Sequence, residues 1–296
     1  MTADTIKANY VREFSDKFAL EVQQKQSRLE RGVTNRGKIV GADFTINKFG
    51  TVEMRDKTLR LQDTNLDLIP TSARIVTMRD KILAIPIDAT DETKLEADLR
   101  GPIRTTFFGA VNRAKDDIIY NALLGDIASK TIYSDSGITQ VGLPASQKIT
   151  LGTGVTSGMF TQILSMFMGN EVGIEDNEEI YITYNAAMMK AILDNETLTN
   201  ADYAAVKMLW EGNVSGKWLG MNWIPYNRMK VGSTEGTRVG VAWAKSGIEY
   251  GWNVPQDFRI DVRPDLEYAT QFGGIYSFGA GRNDEKKVVA FEFLSA

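Results

Sequence analysis

Apolar residues recur at every fourth position near the start of the chain, at Ile6, Tyr10, Phe14, Phe18 and Val22. Val11 and Leu29 lie beside this row. Lys7, Arg12, Glu13, Asp16, Lys17 and Glu21 fill the gaps, and a glutamine-rich stretch follows from Gln23 to Gln26. Fourth-residue spacing makes one continuous ridge on an α-helix, and a helix of roughly 24 residues is about 36 Å long. Arg31-Gly32 closes it, and a charged stretch comes next rather than the start of a core. The pattern predicts a helical arm that buries its aromatics on something outside its own core.

From Lys38 to Asp88 the chain reads as extended. Phe44 and Ile46 alternate with polar residues, Asn47-Lys48-Phe49-Gly50 reads as a turn, and Glu53 to Arg60 is rich in charge. Two polar-faced strands joined by such a turn would not be stable alone. Pro70 closes the region, and Ile82 to Ile87 reads as an apolar strand leading into the core, with Pro86 marking an edge or a break. Gly101-Pro102 then opens the strongest helix and Gly125 stops it. Ile103, Phe107, Ala110, Val111, Ala114, Ile118 and Ala122 share one face of it, and Arg113 and Asp117 are spaced to pair outside. About 23 residues make a rod of roughly 35 Å.

Residues 129–158 read as loop or short strands. Beyond them the pattern alternates: helix Met159–Met168, strand Ile180–Tyr184, helices Ala186–Leu193 and Ala201–Trp210, strand Trp218–Tyr226. That is a compact α/β subdomain. Strands return at Phe258–Val262, Phe272–Phe278 and Val289–Phe293. The elements near 82–125 and 255–294 are expected to form one α+β domain with the subdomain inserted between them.

Composition removes much chemistry. Apolar content of 43% and charged content of 24% are ordinary globular values, and the length allows one large domain or two modest ones. There is no cysteine and no histidine, hence no disulfide, thiolate nucleophile, imidazole base or His-metal ligand. Any catalysis would rest on carboxylates, lysines or tyrosines. No apolar run reaches the roughly 18–20 residues of a membrane span and no secretory signal opens the chain, so a soluble, cytoplasmic protein is expected. The net charge of −4 argues against a dedicated nucleic-acid binder. Residues 1–38 carry net +3 and the rest −7.

The candidate motifs are weak. Gly152-x-Gly154 with Gly158 is one residue too long for a dinucleotide fingerprint and lacks the Gly-Lys-Ser/Thr of a P-loop, so it reads as a flexible connection. Asp116-Asp117, Glu175-Asp176 and Glu178-Glu179 are acidic pairs, but adjacent helical residues point about 100° apart, so a solvated or ion-paired surface is the expectation. Trp210, Trp218, Trp223, Trp243 and Trp252 would be core or subunit contacts in an acidic α/β region rather than base-stacking platforms.

The order of parts resembles the major capsid protein of tailed bacteriophages, whose fold is named after the phage Hong Kong ninety-seven. Arg74-Ile75-Val76 through Asp80, then Ala84-Ile85-Pro86-Ile87-Asp88, is similar to the strand entering that family's peripheral domain. Asp116-Asp117 with Ala122-Leu123-x-Gly125 resembles the end of its spine helix. Thr199-Asn200-Ala201-Asp202-Tyr203, Gly212 and Trp218-Leu219-Gly220 resemble an axial-domain helix and strand. Ala242-Trp243-Ala244-Lys245-Ser246-Gly247-Ile248 and Gly279-Ala280-x-Arg282 resemble the closing segment.

The resemblance implies an α+β fold in four parts. These are an N-terminal helical arm (1–32), an extended β-hairpin loop (33–73), a peripheral domain with a long spine helix (74–150 and 251–296) and an axial α/β domain (151–250). It implies a structural protein, not an enzyme, with no cofactor or metal. Copies would form hexamers and pentamers of an icosahedral shell around non-specifically packaged double-stranded DNA, assembled in the host cytoplasm and part of the virion. Portal, scaffold and decoration proteins are further implied partners, and no membrane is. With no long leader before the arm, scaffolding is expected to be a separate protein or unnecessary, or the chain to be already processed, which Met1 disfavours. The family's lysine–asparagine cross-link does not carry over, because nothing marks Lys48 or Lys57 as reactive.

The expected assembly contacts are Ile6, Tyr10, Phe14, Phe18 and Val22 on the ridge, with Arg55, Asp56, Lys57 and Arg60 on the hairpin. Docking Tyr10, Phe14, Phe18 and Val22 would provide roughly 6–10 kcal/mol gross. Deleting residues 1–30 is expected to leave a folded subunit that does not assemble. The alternatives are a cellular shell compartment of the same fold holding protein cargo, and a carboxylate-dependent hydrolase.

Overall fold

The computed structural model describes residues 20–21, 23–57, 66–88, 100–131, 137–150, 155–173, 177–194, 217–253 and 258–295. Ile6, Tyr10, Phe14, Phe18, Val22, Arg60, Gly152, Gly154, Glu175-Asp176 and the helix expected over 201–210 lie outside them. The chain falls into two compact units. One comprises Met1–Gln26, Ile82–Arg113 and Gln256–Ile275, the other Ser27–Lys81, Ala114–Pro255 and Tyr276–Ala296.

In chain order the elements begin with β1 (Thr34–Lys38), β2 (Asp43–Phe49), β3 (Thr71–Thr77), β4 (Arg79–Ile87), α1 (Arg100–Leu124), β5 (Ile127–Thr131), β6 (Thr139–Val141) and β7 (Lys148–Ile149). They continue with α2 (Ser157–Gly169), β8 (Ile180–Tyr184), α3 (Ala186–Leu193), β9 (Lys217–Trp218) and β10 (Met221–Pro225). The last are β11 (Thr237–Ala244), β12 (Ile248–Trp252), β13 (Arg259–Arg263), β14 (Ala269–Arg282) and β15 (Val288–Leu294). Both α1 and β14 contribute to each unit.

The larger unit holds a six-stranded sheet in the order β7-β15-β11-β8-β10-β9. β8 and β10 run parallel, with α3 in the connection between them. Tyr181, Ile182 and Thr183 on β8 and Trp223 and Ile224 on β10 are all buried, as expected for a central strand pair covered on both faces. Asn185 caps α3 by accepting from the Met188 N–H at 2.7 Å. On α2 the buried residues Met159, Phe160, Ile163 and Phe167 follow helical spacing. The Phe160 ring meets Trp218 and Trp223 edge-on, at 5.6 and 5.4 Å. The expected strand over 218–226 is split, because Leu219 and Gly220 take positive φ and turn β9 back onto β10. β15, expected beside the spine helix, pairs with β11 in this sheet. Val288, Val289, Ala290, Phe291 and Phe293 are all buried and require cover on both faces.

A second sheet, β2-β3-β5-β6, seats Phe44, Ile46, Val76 and Ile127 as a core cluster. Gly279 and Gly281 on β14 and Gly251 on β12 make this close packing possible. A Cβ on Gly281 would collide with Val76, and one on Gly251 would collide with Ile39. The expected turn at Asn47–Gly50 does not exist. β2 continues through Phe49 and pairs along its length with β3, from Asp43↔Thr77 to Phe49↔Thr71. The charged stretch taken as the second strand forms no strand in its described residues, 53–57. The hairpin is not an isolated one either, because β5 pairs with the outer side of β3.

In the smaller unit β14 pairs with β13 on one side and β4 on the other. Phe258 packs with Phe107 of α1, the ring centroids being 5.2 Å apart, and with Phe272 of β14 at 6.1 Å. The strand expected to lead into the core is an edge strand. Ile82, Ala84 and Pro86 are exposed and only Leu83, Ile85 and Ile87 are half-buried, while Pro86 is tolerated because an edge needs no donor there.

Residues 23–29 are not helical, so the arm helix does not reach Leu29; only Glu30–Gly32 form a single 3₁₀ turn. Instead Gln23–Lys25 lie along α1. The Asn112 side chain donates to the Lys25 carbonyl at 2.9 Å and Arg113 to Gln23 at 3.0 Å. Gly109 lets this segment approach, since a Cβ there would sit 3.0 Å from the Gln24 carbonyl oxygen. The expected Arg113–Asp117 pair is therefore absent; Asp117 pairs with Arg228 at 2.9 Å.

Candidate assembly surfaces

The root of the arm is built into the subunit. Asp116 is fully buried on α1, against the expectation of a solvated acidic pair. Its carboxylate accepts from the Ser27 hydroxyl at 2.6 Å and from the backbone N–H groups of Arg28 at 3.0 Å and Leu29 at 3.1 Å. A carboxylate that captures consecutive N–H groups withholds them from helical i→i−4 bonds, which agrees with the non-helical backbone of residues 23–29. Leu29 and Val33 are buried. The Arg28 and Arg31 guanidiniums donate to the carbonyls of Pro225 and Trp223, and the Trp243 indole donates to the Gly32 carbonyl at 2.7 Å. Whatever precedes Ser27 therefore leaves from a fixed point.

The extended loop has the opposite character. A bond from the Gly50 N–H to the Pro70 carbonyl at 2.7 Å is the last rung of the β2–β3 hairpin. Residues 50–57 and 66–70 beyond it form no strand. Met54 is fully exposed, Leu66 and Leu68 are each 87% exposed, and Phe49, Val52 and Ile69 are also exposed. Isolated surface apolar residues are common, but a run of them on two legs without a core marks a contact surface. Arg55 pairs with Asp67 across the legs, so this expected contact residue is engaged within the loop. Asp56 and Lys57 are exposed. The exposed apolar surface of the loop thus lies on its aliphatics, beside the charges expected from the sequence.

Two ion pairs hold the root of the loop. Lys48 on β2 pairs with Asp284 at 2.8 Å, and Arg74 on β3 pairs with Glu285 at 2.9 Å. Asp284 and Glu285 are neighbours in the turn between β14 and β15, which is braced by the bond from Lys287 to Glu178 at 3.4 Å. Burial opposes ionisation of Asp284. The Lys48 hydrogen bond and charge, the Lys286 N–H and the Lys287 charge outweigh it and hold the pKa below the usual 3.8. A depressed folded-state pKa contributes stability above the unfolded value and loses it as pH falls through the folded one. The melting advantage of the native chain over Asp284→Asn is thus expected to be constant from pH 7 to about 5 and to decline only below about 4, as pH falls towards the depressed folded value. Melting curves of the two proteins across that range check this.

Burial, and for Tyr181 also the hydrogen bond to Glu179, pushes the phenols of Tyr120 and Tyr181 up to about 12, so neither is a base at neutral pH. Glu178 accepts from Ser246 and Lys287, and Glu179 from Tyr181. No cluster of three His, Cys, Asp or Glu suited to a metal is found among the described residues. A cleft of about 480 Å³ is lined by Arg79, Asn121, Asp126, Gln140, Lys230 and Arg282. Arg282 is committed to the carbonyls of Leu123, Gly125 and Val141, at 2.9, 2.9 and 3.0 Å, where it neutralises the C-terminal end of α1. Trp218, Trp223 and Trp243 are buried core residues.

Known proteins place these features together. The chain is similar in structure to a protein of Mycobacterium phage Che8, with TM-score 0.70 and 16% identity over 96% of this chain and 97% of that one. It is also similar to the Cyanophage Pam1 capsid, with TM-score 0.72 and 13% identity over 98% and 97%. The Cyanophage P-SCSP1u capsid gives TM-score 0.67 and 16% identity over 97% and 93%. No curated protein sequence matches it significantly. A sequence profile of the family described as phage capsid protein matches residues 6–295. With the Hong Kong ninety-seven type of α+β fold and a profile match over nearly its whole length, the chain belongs to the phage capsid protein family, as a major capsid protein.

Proposed function

We propose that copies of this chain form hexameric and pentameric rings that close into an icosahedral shell around double-stranded DNA, assembled in the host cytoplasm. The observation that carries this reading is the extended loop, whose aliphatics Val52, Met54, Leu66, Leu68 and Ile69 are exposed on its described legs. Val52, Met54, Leu66, Leu68 and Ile69 dock on a neighbouring copy, for a gross gain of roughly 7–15 kcal/mol before ordering costs. The arm adds Ile6, Tyr10, Phe14, Phe18 and Val22 to the same purpose, and Asp56, Lys57 and Arg60 contribute only ~0–1 kcal/mol per surface pair.

In this reading residues 1–32 are the arm, 33–73 the extended loop, 74–150 with 251–296 the peripheral domain, and 151–250 the axial domain around the ring axis. β15, paired with β11, ties the last two together. The role is structural. The family favours a DNA cargo over the protein cargo of a cellular compartment, and a structural role over a hydrolase. Portal, scaffold and decoration proteins are the further partners. The net charge of −4 suits a wall along which DNA slides without sequence recognition; tight sequence-dependent binding by the subunit would count against it.

The loop is tested by Leu66→Ser with Leu68→Ser. Both side chains are exposed, so the melting temperature should stay within about 2 °C of the native value. Each loop contact should weaken by about 3 kcal/mol or more, over a hundredfold, and particles should disappear from sedimentation profiles. Normal particles from this variant would refute the loop's role.

A further inference from the structure

We infer that the turn carrying Asp284 and Glu285 is an electrostatic clasp that fixes the direction in which the extended loop leaves the subunit. Two adjacent acidic residues reach two different legs of one hairpin. Asp284 holds Lys48 on β2 and Glu285 holds Arg74 on β3. Lys48 faces Ser72, and Arg74 faces Ile46 two positions further in, with Asn47↔Ala73 between, so the two pairs sit close together at the root. Beyond them only Phe49↔Thr71 and the Gly50–Pro70 bond remain before pairing ends. The outward legs have no other support among the described residues, apart from the Arg55–Asp67 pair that joins them to each other.

The post at the other side of the clasp is stiff. Asp284 accepts from the Lys286 N–H at 3.2 Å, which fixes the turn's own shape. Lys287 ties the turn to Glu178, next to β8 in the six-stranded sheet. Arg74 is buried, and its Nε and Nη1 find no hydrogen-bond partner among the described residues. Glu285 is therefore what compensates its charge. The Lys48–Asp284 pair is more open, with 27% and 23% of the two side chains exposed. The outer rung can thus break while the inner one holds. Such a clasp gives the loop one preferred direction and leaves it able to leave that direction at modest cost. A subunit that must dock its loop in rings of five and of six needs both properties. Only this last use rests on the shell reading; the clasp itself does not.

The absence of cysteine from the native chain makes the test direct. Cysteines introduced by Met54→Cys on the loop and Val231→Cys on the larger unit, both at exposed sites, carry spin labels. The distance between them is measured on dispersed full-length subunits. The clasp predicts one narrow distance distribution in the otherwise native chain. In Asp284→Asn and in Lys48→Gln that single narrow population should be lost to a broad or two-peaked one. The swap Lys48→Asp with Asp284→Lys should restore it. Unchanged narrow distributions in both single variants would overturn the proposal, because the β3–β5 pairing alone would then orient the loop. Lys48→Gln keeps the buried Arg74–Glu285 pair and so remains readable if Asp284→Asn fails to fold. Sedimentation of unlabelled native protein separates the two ideas. Absence of particles sinks the shell reading and leaves the clasp standing, whereas particles with an unaffected distance distribution sink the clasp alone.

Discussion

A chain lacking residues 1–19 should fold with a native melting temperature and fail to form particles, whereas one lacking residues 1–30 should be severely destabilised. The sequence alone led to the expectation that the longer deletion would be harmless to folding. The structure moves the boundary. Ser27, Arg28 and Leu29 are bound to Asp116, and Leu29 is fully buried. Removing Leu29 forfeits about 1.5–3 kcal/mol of burial. Stripping the partners from a buried carboxylate costs about 3–5 kcal/mol more. Together these approach the whole stability of a domain, about 5–15 kcal/mol. Residues 1–19 carry the apolar ridge from Ile6 to Phe18 and lie before the anchored root. Circular dichroism melts and sedimentation of both truncations check this. A stable protein from the longer deletion would show that the root is dispensable, and particles from the shorter one would remove the ridge from assembly.

The second large effect falls on Asp116. Asp116→Ala leaves the Ser27 hydroxyl and the N–H groups of Arg28 and Leu29 without their acceptor. Each orphaned donor costs about 1–3 kcal/mol, so a loss of at least about 3 kcal/mol in urea unfolding is expected. Asp117→Ala is the control on the adjacent residue. Its carboxylate is partly exposed, pairs with Arg228 and accepts from the Tyr226 hydroxyl, so a loss of about 1 kcal/mol is expected. Equal losses from the two would mean that the acidic pair is a surface feature, as its sequence suggested.

Those two aspartates illustrate what was legible and what was not. β8 at Ile180–Tyr184 and α3 at Ala186–Leu193 match their expected bounds, because a short apolar run and an Asn cap are local signals. α1 ends at Leu124 for the same reason, with Gly125 closing it through a bond to the Asn121 carbonyl at 2.8 Å. The partner of β2 was misread because register between strands separated by some twenty residues leaves no period in the sequence. The burial of Asp116 is signalled only by its helical spacing to Ile119, Tyr120 and Leu123. Those three are buried and share its face, so the second half of α1 is covered on more than one side. For the loop, charge density drew attention to Arg55, Asp56 and Lys57, while Leu66 and Leu68 carry the exposed apolar surface. An exposed leucine has no local signature, since its meaning depends on which core it fails to join.

Electron microscopy of the purified full-length protein, expressed in bacteria and examined at micromolar concentration, tests the central claim most directly. Closed shells with five-fold and six-fold rings, each loop from Phe49 to Pro70 lying on an adjacent copy, are the predicted result. Monodisperse monomers under conditions where the subunit is folded, or shells whose loops contact no neighbour, would contradict it.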